Sequence, residues 1–329
     1  MKIFVTGITG FVGGAVANHF ADLGHTVYGI GRKAALPYYI SNSCSYSTAD
    51  ICSPLRDIDA DIIIHAAAVV SDTVSYKHAC KVNVEGTANV LRAARNSEHF
   101  IYISSSSVYN FKDDGMIESE AGLEFNHLSV YGKSKWLAER VINKIESNFK
   151  KTILRPRAIY GKSDHVLLPR LLKLVKGNKI FLPEHLSRQI SLTHVNNLIL
   201  AIELCINKQK EALEIFNVAD KEVYDLNKVL TALLSAVTSK QLRTFIIPEV
   251  VFERLIAINE KLKLCPVLNR FAASSLTGTA VLDIEKISNT LGYFPIKNFL
   301  NSYIEIADWM HNDKDSKVKR KTPDGKLHL

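Results

Sequence analysis

The chain begins with an apolar strand, a glycine-rich turn and a helical pattern, in that order. Lys2 to Thr6 is a short run of mainly apolar and β-branched residues, which is typical of a buried parallel strand. It leads into Gly7-Ile8-Thr9-Gly10-Phe11-Val12-Gly13, and a helical pattern then continues to Leu23. A glycine turn between a strand and a helix N-terminus lets backbone amides approach an anion. The segment therefore predicts a βαβ unit that binds the diphosphate of a dinucleotide.

The three glycines of this turn have different expected roles. Gly7 allows the tight turn, Gly10 lets backbone amides approach the diphosphate, and Gly13 lets the helix pack closely on the strand. Their spacing of three and three residues differs from the two and three of the most common dinucleotide fingerprint. An ordinary strand-to-helix turn is the alternative interpretation. The expected diphosphate contacts are Gly7, Thr9, Gly10, Phe11, Val12 and Gly13.

The end of the second strand bears on the choice of cofactor. Thr26 to Ile30 has the pattern of a strand, and Gly31-Arg32-Lys33 follows it. A site for NAD usually has Asp or Glu here, which accepts from the ribose 2′-hydroxyl, whereas Arg suits a 2′-phosphate. Because no acidic residue lies between Gly29 and Lys33, Arg32 favours NADP, with NAD as the alternative. A solvated basic strand end is the alternative role for Arg32.

Tyr131 and Lys135 form a candidate proton-transfer pair. They are four residues apart in a predicted helix from Val130 to Glu146, so both side chains project from one face. A phenol with a pKa of about 10 is a poor proton shuttle at neutral pH. An ammonium one helical turn away favours the phenolate and lowers that pKa. Tyr-x-x-x-Lys occurs by chance in many helices, and it gains its weight here from the glycine turn.

With both motifs present, the chain resembles the extended short-chain dehydrogenase/reductase family, in the branch of 3β-hydroxysteroid dehydrogenases and nucleotide-sugar epimerases. The resemblance runs from Lys2 to about Trp309. It includes His65-Ala66-Ala67-Ala68, a segment that lies beneath the cofactor in the family. It also includes Val82 to Thr87, where Asn83 is a candidate cofactor contact and a structural role is the alternative. The cofactor contacts that it implies beyond the turn are Arg32, Asp50, Ile51, Ala66, Ala67, Ala68, Asn83, Tyr131, Lys135 and Pro156.

The resemblance also implies the position of a catalytic serine. Phe100 to Tyr109 matches the strand-five segment of the family, and alignment on its last two residues puts the serine at Ser105. Ser106 is the alternative, because four consecutive serines leave the register uncertain by one. Asn196-Asn197 departs from the acidic pair that many relatives carry. The candidate substrate contacts are Ser106, Tyr160, Arg188 and His194.

These residues imply reversible hydride transfer at a secondary alcohol or ketone carbon. Tyr131 would act as acid and base, and Ser105 would donate to the substrate oxygen. Lys135 would lower the Tyr131 pKa and, as the resemblance implies, bond the nicotinamide ribose. The substrate is expected to be a small hydroxy or keto compound, either a nucleotide sugar or an apolar alcohol.

Two other functions stay open. An epimerase that acts on a nucleotide sugar with bound NAD is the first, and Arg32 argues against it. A non-catalytic NADP-binding regulator is the second, and the retention of both Tyr131 and Lys135 argues against that. Dehydration is disfavoured because Ser106-Ser107 lacks the Asp-Glu pair of the family's dehydratases.

Alternating strands and helices from Met1 to about Tyr160 indicate an α/β fold. The expected architecture is a Rossmann-type, doubly wound parallel sheet with a smaller, mainly helical C-terminal substrate lobe. The expected lobe helices are 166–176, 226–236, 249–264 and 283–291. The expected domains are 1–160 with a return segment at about 190–220 for the cofactor, 161–189 and 221–311 for the substrate, and 312–329 as a basic, disordered tail.

Charge and composition limit the expected partners. The net charge is +8, and residues 312–329 hold six basic and three acidic residues. That tail has no aromatic residue for base stacking, so nucleic acid is not an expected partner. No apolar run reaches the length of about 18 residues that a membrane span needs, although an interfacial helix at 250–264 is an alternative. A homodimer through helices at 76–95 and 130–146 is an expectation by analogy of fold.

The cysteines indicate the compartment. They number five, an odd count, and no C-x-x-C spacing occurs, so reduced thiols are expected and neither a disulfide framework nor a metal site. The first strand starts at Lys2, which leaves no room for a signal peptide. Together these features predict a cytoplasmic protein.

Overall fold

The structure is a computed structural model that describes residues 1–70, 74–110, 115–123, 125–164, 168, 171–183, 189–262 and 280–319. The chain forms two compact units. The first comprises Met1–Ile159, Gln189–Val223 and Gly278–Ile296. The second comprises Tyr160–Arg188, Tyr224–Thr277 and Lys297–Leu329.

A seven-stranded parallel sheet forms the centre of the first unit. In chain order the strands of the protein are β1 (Lys2–Thr6), β2 (Thr26–Gly31), β3 (Ser45–Thr48), β4 (Ile62–His65), β5 (His99–Ile103), β6 (Lys150–Pro156), β7 (Ile159–Tyr160), β8 (Val175–Lys176), β9 (Lys179–Pro183), β10 (Gln189–Ser191), β11 (Thr193–His194), β12 (Leu213–Val218), β13 (Val223–Asp225) and β14 (Arg243–Ile247). The main sheet has the order β12-β6-β5-β4-β1-β2-β3 with every pair parallel. The predicted doubly wound α/β fold is confirmed, and β12 is the predicted return strand.

Helices cover both faces of this sheet. The α-helices that the structure describes in the two units are α1 (Phe11–Asp22), α2 (Tyr76–Cys80), α3 (Gly86–Ala93), α4 (Val130–Lys144), α5 (Val195–Lys208), α6 (Leu226–Thr238), α7 (Glu249–Leu262), α8 (Glu285–Leu291) and α9 (Phe299–Lys319). A π-helix, Lys81–Glu85, joins α2 to α3. Ile3 and Val5 pack in a core with α1 and α5, whereas Phe4 packs in a second core with α3 and α4. Because both faces are covered, the strands read as continuous apolar runs.

The glycine turn after β1 depends on close backbone contacts. Gly7 has a φ of +70°, in the left-handed region that favours glycine. A Cβ on Gly13 would lie 2.3 Å from the Gly7 carbonyl oxygen, so α1 can pack this closely on the turn only with glycine there. A Cβ on Gly7 would lie 2.8 Å from the backbone nitrogen of Ala67. The turn is therefore held between α1 and the segment that follows β4.

Part of the segment that was expected in the substrate lobe lies in the first unit. The stretch Gly278–Ile296 groups with the sheet, because Ile287 and Leu291 of α8 pack in the core beside α5. Tyr293 is buried there, and its hydroxyl donates to the Ala219 carbonyl at 2.9 Å. The apolar residues of α8 follow the predicted lobe in sequence, and their pattern does not indicate on which unit they pack.

Two further expectations differ from the structure. The helix expected at 166–176 does not reach its end: residues 165–167, 169 and 170 lie outside the described ones, and Leu172–Leu174 is a 3-10 turn followed by β8. Gly177, with a φ of +65°, starts the two-residue loop of an antiparallel hairpin between β8 and β9, and this loop ends the helical register. The segment expected as a disordered tail is helical as far as Lys319, where α9 ends.

The second unit contains a small sheet of order β14-β9-β8 and the helices α6, α7 and α9. Helices α6 and α9 pack on each other. On α7, Phe252 and Ile256 are buried against Ile247, whereas Val250 and Ile258 are exposed. Among the residues that the structure describes, no helix is both long and apolar enough to cross a membrane.

Two glycine substitutions in α1 test the close packing of the turn. Gly13→Ala should lower the free energy of unfolding by about 1–3 kcal/mol, because the new methyl group meets backbone that cannot move aside. Gly14→Ala is the matched control: its Cβ would meet the Ile40 Cδ1 at 2.4 Å, the end of a side chain that can rotate, and its nearest backbone atom, the Ile8 carbonyl oxygen, is 3.2 Å away. We expect its cost to stay below about 1 kcal/mol, since alanine also favours the helix. Urea unfolding measures both, and equal costs would contradict the argument.

Candidate active site

The first turn of α4 packs against the serine segment at the carboxyl end of β5. Ser129 caps the helix, and its Oγ accepts from the Gly132 amide at 3.0 Å. A Cβ on Gly132 would lie 2.1 Å from the Ser107 carbonyl oxygen. Glycine at 132 therefore lets the turn that carries Tyr131 approach the backbone of the serines. The structure brings the two predicted catalytic segments together.

The four serines after β5 have different surroundings. Ser105 is half-buried, and its Oγ accepts from the Ser107 amide at 3.1 Å and bonds the Ser107 hydroxyl at 3.1 Å. Ser106 is 1% exposed. Ser104 is also buried, and its hydroxyl donates to the Glu139 carboxylate. Of the two candidate positions, Ser105 is the less buried, and its role as the catalytic serine stays a prediction.

Lys135 is the most unusual charge in the first unit. Its side chain is 1% exposed, and its Nζ donates to the Ile103 carbonyl at 2.6 Å. The same nitrogen lies over the Tyr102 ring, 4.1 Å from the centroid. Burial lowers the pKa of Lys135 to about 7, although the nearby Glu139 carboxylate opposes this. Among the described residues, the other two N–H bonds of the ammonium have no hydrogen-bond partner.

His65, at the end of β4, is held as a neutral ring. The Thr87 hydroxyl donates to the Asn83 carbonyl at 2.6 Å, so it accepts from the His65 Nε2 at 2.9 Å. The Nδ1 of His65 then accepts from the Thr6 hydroxyl at 2.6 Å. Complete burial, and next the charge of Lys135, lowers the pKa of His65 to about 3. This ring adds no positive charge beside Lys135 at neutral pH.

A buried ion-pair network ties α4 to β6. Arg155 donates to both carboxylate oxygens of Glu139, at 3.0 and 2.6 Å, and both side chains are almost fully buried. Arg155 also donates to the Tyr109 hydroxyl at 3.0 Å, which in turn donates to Asn217 on β12 at 2.6 Å. The motifs of the sequence did not predict this network. Two features of the sequence could have indicated it. Arg155 is a charged residue at the end of the apolar run of β6, and Glu139 lies four residues after Lys135.

The diphosphate end of the expected cofactor site is the N-terminus of α1. Gly10 is the exposed N-cap residue, and no side chain caps the helix, so the first amides of α1 are not bonded by a side chain. Thr9 is buried beside Gly31, where a Cβ would lie 2.8 Å from the Thr9 Oγ1. Phe11 and Val12 are half-buried in the first turn. Open amides at a helix N-terminus fit a diphosphate.

The expected adenosine contacts lie at the ends of β2, β3 and β4. Arg32 is exposed directly after β2. Asp50 is exposed and its Oδ1 accepts from the Cys52 amide at 2.9 Å, a hydrogen bond that lowers the pKa of the carboxyl. Ile51 is buried beside Gly86, and residues 66–68 are half-buried after β4. The glycine turn, the half-buried segment 66–68 and the two N–H bonds of Lys135 that no described residue accepts fit a nicotinamide dinucleotide.

Other predicted contacts have their polar atoms engaged elsewhere. The Asn83 amide group bonds the Val69 backbone at 2.9 and 3.2 Å and the Ser134 hydroxyl at 2.8 Å, which is the structural role given as its alternative. The Nδ1 of His194 accepts from the Asn196 amide at 3.1 Å and caps α5.

Three more predicted contacts complete the set. Pro156 is buried as the last residue of β6. Tyr160 belongs to the second unit, where its ring packs against Phe299. Arg188 lies outside the described residues.

Comparison with known proteins shows the family of the chain. Residues 3–219 match the model of the NAD dependent epimerase/dehydratase family. The chain is 26% identical over 315 residues to a 2-alkyl-3-oxoalkanoate reductase of Stenotrophomonas maltophilia (strain K279a), which covers 90% of this chain and 95% of that protein. It is 30% identical over 165 residues to an N-acetyl-alpha-D-glucosaminyl-diphospho-ditrans,octacis-undecaprenol 4-epimerase of Escherichia coli O157:H7, which covers 48% of this chain and 49% of that protein.

A solved structure shares the fold. The UDP-glucose 4-epimerase of Thermotoga maritima, solved with UDP-glucose, matches with a TM-score of 0.74 and 17% identity. The match covers 95% of this chain and 100% of that chain. At this identity the likeness shows the fold alone.

Removing the buried ammonium should stabilise the protein in a pH-dependent way. Below pH 7 both the folded and the unfolded chain hold the Lys135 proton, and the folded state carries the full cost of the buried charge. Between pH 7 and 10.5 only the unfolded chain keeps that proton, so the stability of the wild type rises. Lys135→Met should therefore raise the free energy of unfolding at pH 6 by about 1–3 kcal/mol, and the gain should shrink towards pH 10.

Urea unfolding between pH 6 and 10 measures this difference. Lys144→Met, an exposed position on the same helix, is the control and should show no such trend. A gain from Lys135→Met that does not change with pH would contradict the burial of a titrating ammonium.

Proposed function

The chain belongs to the NAD dependent epimerase/dehydratase family, and we propose that it is an NAD(P)-dependent dehydrogenase or reductase of the extended short-chain type. The reaction is reversible hydride transfer at a secondary alcohol or ketone carbon. The observation that carries the proposal is the Lys135 ammonium, which is buried on the helix of Tyr131 with two N–H bonds that no described residue accepts. A buried cation with open donors at the carboxyl edge of a parallel sheet suits a ligand and not the core.

The protein's own residues bind the dinucleotide and move the proton. The amides of the first turn of α1 hold the diphosphate, and Lys135 donates to the nicotinamide ribose. Tyr131 gives its phenolic proton to the substrate oxygen in reduction and takes it back in oxidation. The Lys135 charge favours the phenolate form of Tyr131, and Ser105 donates a hydrogen bond to the same substrate oxygen as charge develops. When bound, the nicotinamide supplies or accepts the hydride.

A reductase with an exchangeable cofactor is favoured over an epimerase. The alignment with the 2-alkyl-3-oxoalkanoate reductase spans 90% of the chain, and Arg32 after β2 suits a 2′-phosphate. The 30% identity with a 4-epimerase over about half of the chain keeps a nucleotide-sugar or lipid-linked sugar epimerase as the second candidate. That candidate requires NAD retained through purification, and near-stoichiometric NAD in the purified protein would favour it over the reductase.

Replacing the phenol tests the chemistry. With a panel of β-keto acids as probe substrates and NADPH oxidation as the readout, Tyr131→Phe should lower turnover by about 10²–10⁴-fold, because the proton donor is lost. NADPH affinity should stay within about threefold, since binding does not need the hydroxyl. Tyr76→Phe, at an exposed tyrosine, is the control and should leave both unchanged. Turnover that survives in Tyr131→Phe would refute the assigned role.

The side chain at 32 tests the cofactor. Arg32→Ala should weaken NADPH binding by about 10–100-fold and leave NADH binding nearly unchanged, because only NADPH carries the 2′-phosphate. Lys33→Ala, at the exposed neighbouring position, should have a smaller effect. Fluorescence titration with both cofactors measures this, and an equal loss for both would show that Arg32 does not read the phosphate.

A further inference from the structure

Tyr102 belongs to a row of polar side chains at paired positions on the adjacent strands β5, β4 and β1. It is on β5 and pairs in register with His65 on β4, which pairs with Thr6 on β1. The Tyr102 and His65 rings stack, with centroids 5.4 Å apart and an angle of 29° between their planes. Tyr102 is 1% exposed, and its ring lies beneath the Lys135 ammonium.

From this arrangement we propose that Tyr102 is the positioning residue for Lys135. The face of its ring fixes where the ammonium sits beside Tyr131, and so determines how readily that charge supports proton transfer. The proposal rests on the proposed function for its consequence in the reaction. It adds a residue that contacts neither the substrate nor the cofactor.

The other groups around the ammonium leave it poorly stabilised. Lys135 has one hydrogen bond, to Ile103, among the described residues. The Glu139 carboxylate is the nearest opposite charge on its helix, but Arg155 bonds both of its oxygens and Ser104 donates to one. The negative charge of Glu139 is therefore largely neutralised by Arg155.

The neighbouring rings complete this environment. His65 on β4 is neutral, so it neither repels nor attracts the ammonium strongly. Tyr131, on the helix of Lys135, lies near enough for its charge to affect Tyr102. The remaining source of attraction is the electron-rich face of Tyr102, at 4.1 Å and screened from water. A desolvated cation over an aromatic face is a favourable contact.

The ring face and not the hydroxyl of Tyr102 is what matters in this account. The hydroxyl is buried with the Thr87 side chain beside it, and it makes no hydrogen bond of normal geometry among the described residues. A buried hydroxyl without a partner costs stability. Phenylalanine at 102 would keep the face that contacts Lys135 and would remove that cost.

The experiment varies the electron density of the ring without changing its shape. Position 102 is made Phe, and then mono-, di- and trifluorinated phenylalanine, in the wild-type background and with Lys135→Met. NADPH affinity is measured by fluorescence from pH 5 to 9, and the pH at which affinity falls by half is taken as the midpoint. Fluorine withdraws electrons from the ring face, so the ring holds the ammonium less well with each atom added.

We expect Tyr102→Phe to keep the wild-type midpoint and to raise the melting temperature. The fluorinated series should lower the midpoint stepwise, by about one pH unit at three fluorines, which corresponds to about tenfold weaker NADPH binding above the midpoint. Tyr102→Leu, which removes the ring, should shift it at least as far. The Lys135→Met background should show no midpoint on rising pH and no dependence on fluorine, whereas a loss of affinity below about pH 6, where the 2′-phosphate of NADPH takes up a proton, should be common to every variant.

Three results would overturn the inference or its premise. If the midpoint does not change with the number of fluorine atoms but Lys135→Met still abolishes it, the ring does not hold Lys135. The proposed function is then unaffected. If Tyr102→Leu has a lower melting temperature but an unchanged midpoint, Tyr102 has a packing role only. A midpoint that persists in Lys135→Met removes Lys135 from the cofactor site and contradicts the proposed function as well. If a variant binds no NADPH, the pH dependence of its urea unfolding reports the ionisation of Lys135 in its place.

Discussion

The burial of one lysine ammonium beneath the carboxyl edge of the sheet is the interaction on which the rest of the site depends. A charge removed from water is costly unless nearby groups replace its hydration. Within the described part of the chain, Lys135 has the Ile103 carbonyl, the Tyr102 ring and a carboxylate that is already engaged. In the proposed function, this cost is retained because the same donors can meet the hydroxyls of a cofactor. Stability and function therefore oppose each other at this position.

The helix that carries Lys135 is held in place on both sides of that residue. At the start, Gly132 lets the backbone approach the serine segment as no other residue could. One turn after Lys135, Glu139 is clamped by Arg155 on β6. Because one contact is to the segment after β5 and the other is to the neighbouring strand β6, Tyr131 and Lys135 are held near the edge where the strands end. Positioning of this kind lets a weak acid act at a defined atom.

Much of this could be predicted from the sequence, where local patterns determine the result. The glycine turn, the pair Tyr131 and Lys135 and the β/α alternation each follow from spacing within a few residues, and the predicted fold and family are confirmed. The network around Arg155 joins residues that are distant in sequence, and no local pattern links them. For the same reason the packing of 278–296 on the first unit was wrongly expected in the lobe.

The uptake of a proton when cofactor binds tests the central claim most directly. With a Lys135 pKa of about 7 in the free protein, the amine is mostly neutral at pH 8, and ribose hydroxyls that accept from it should favour the ammonium. Calorimetric titration with NADPH at pH 8, in buffers of different ionisation enthalpy, should show an uptake of more than about half a proton that is lost in Lys135→Met. Equal proton uptake in the two proteins would contradict the account.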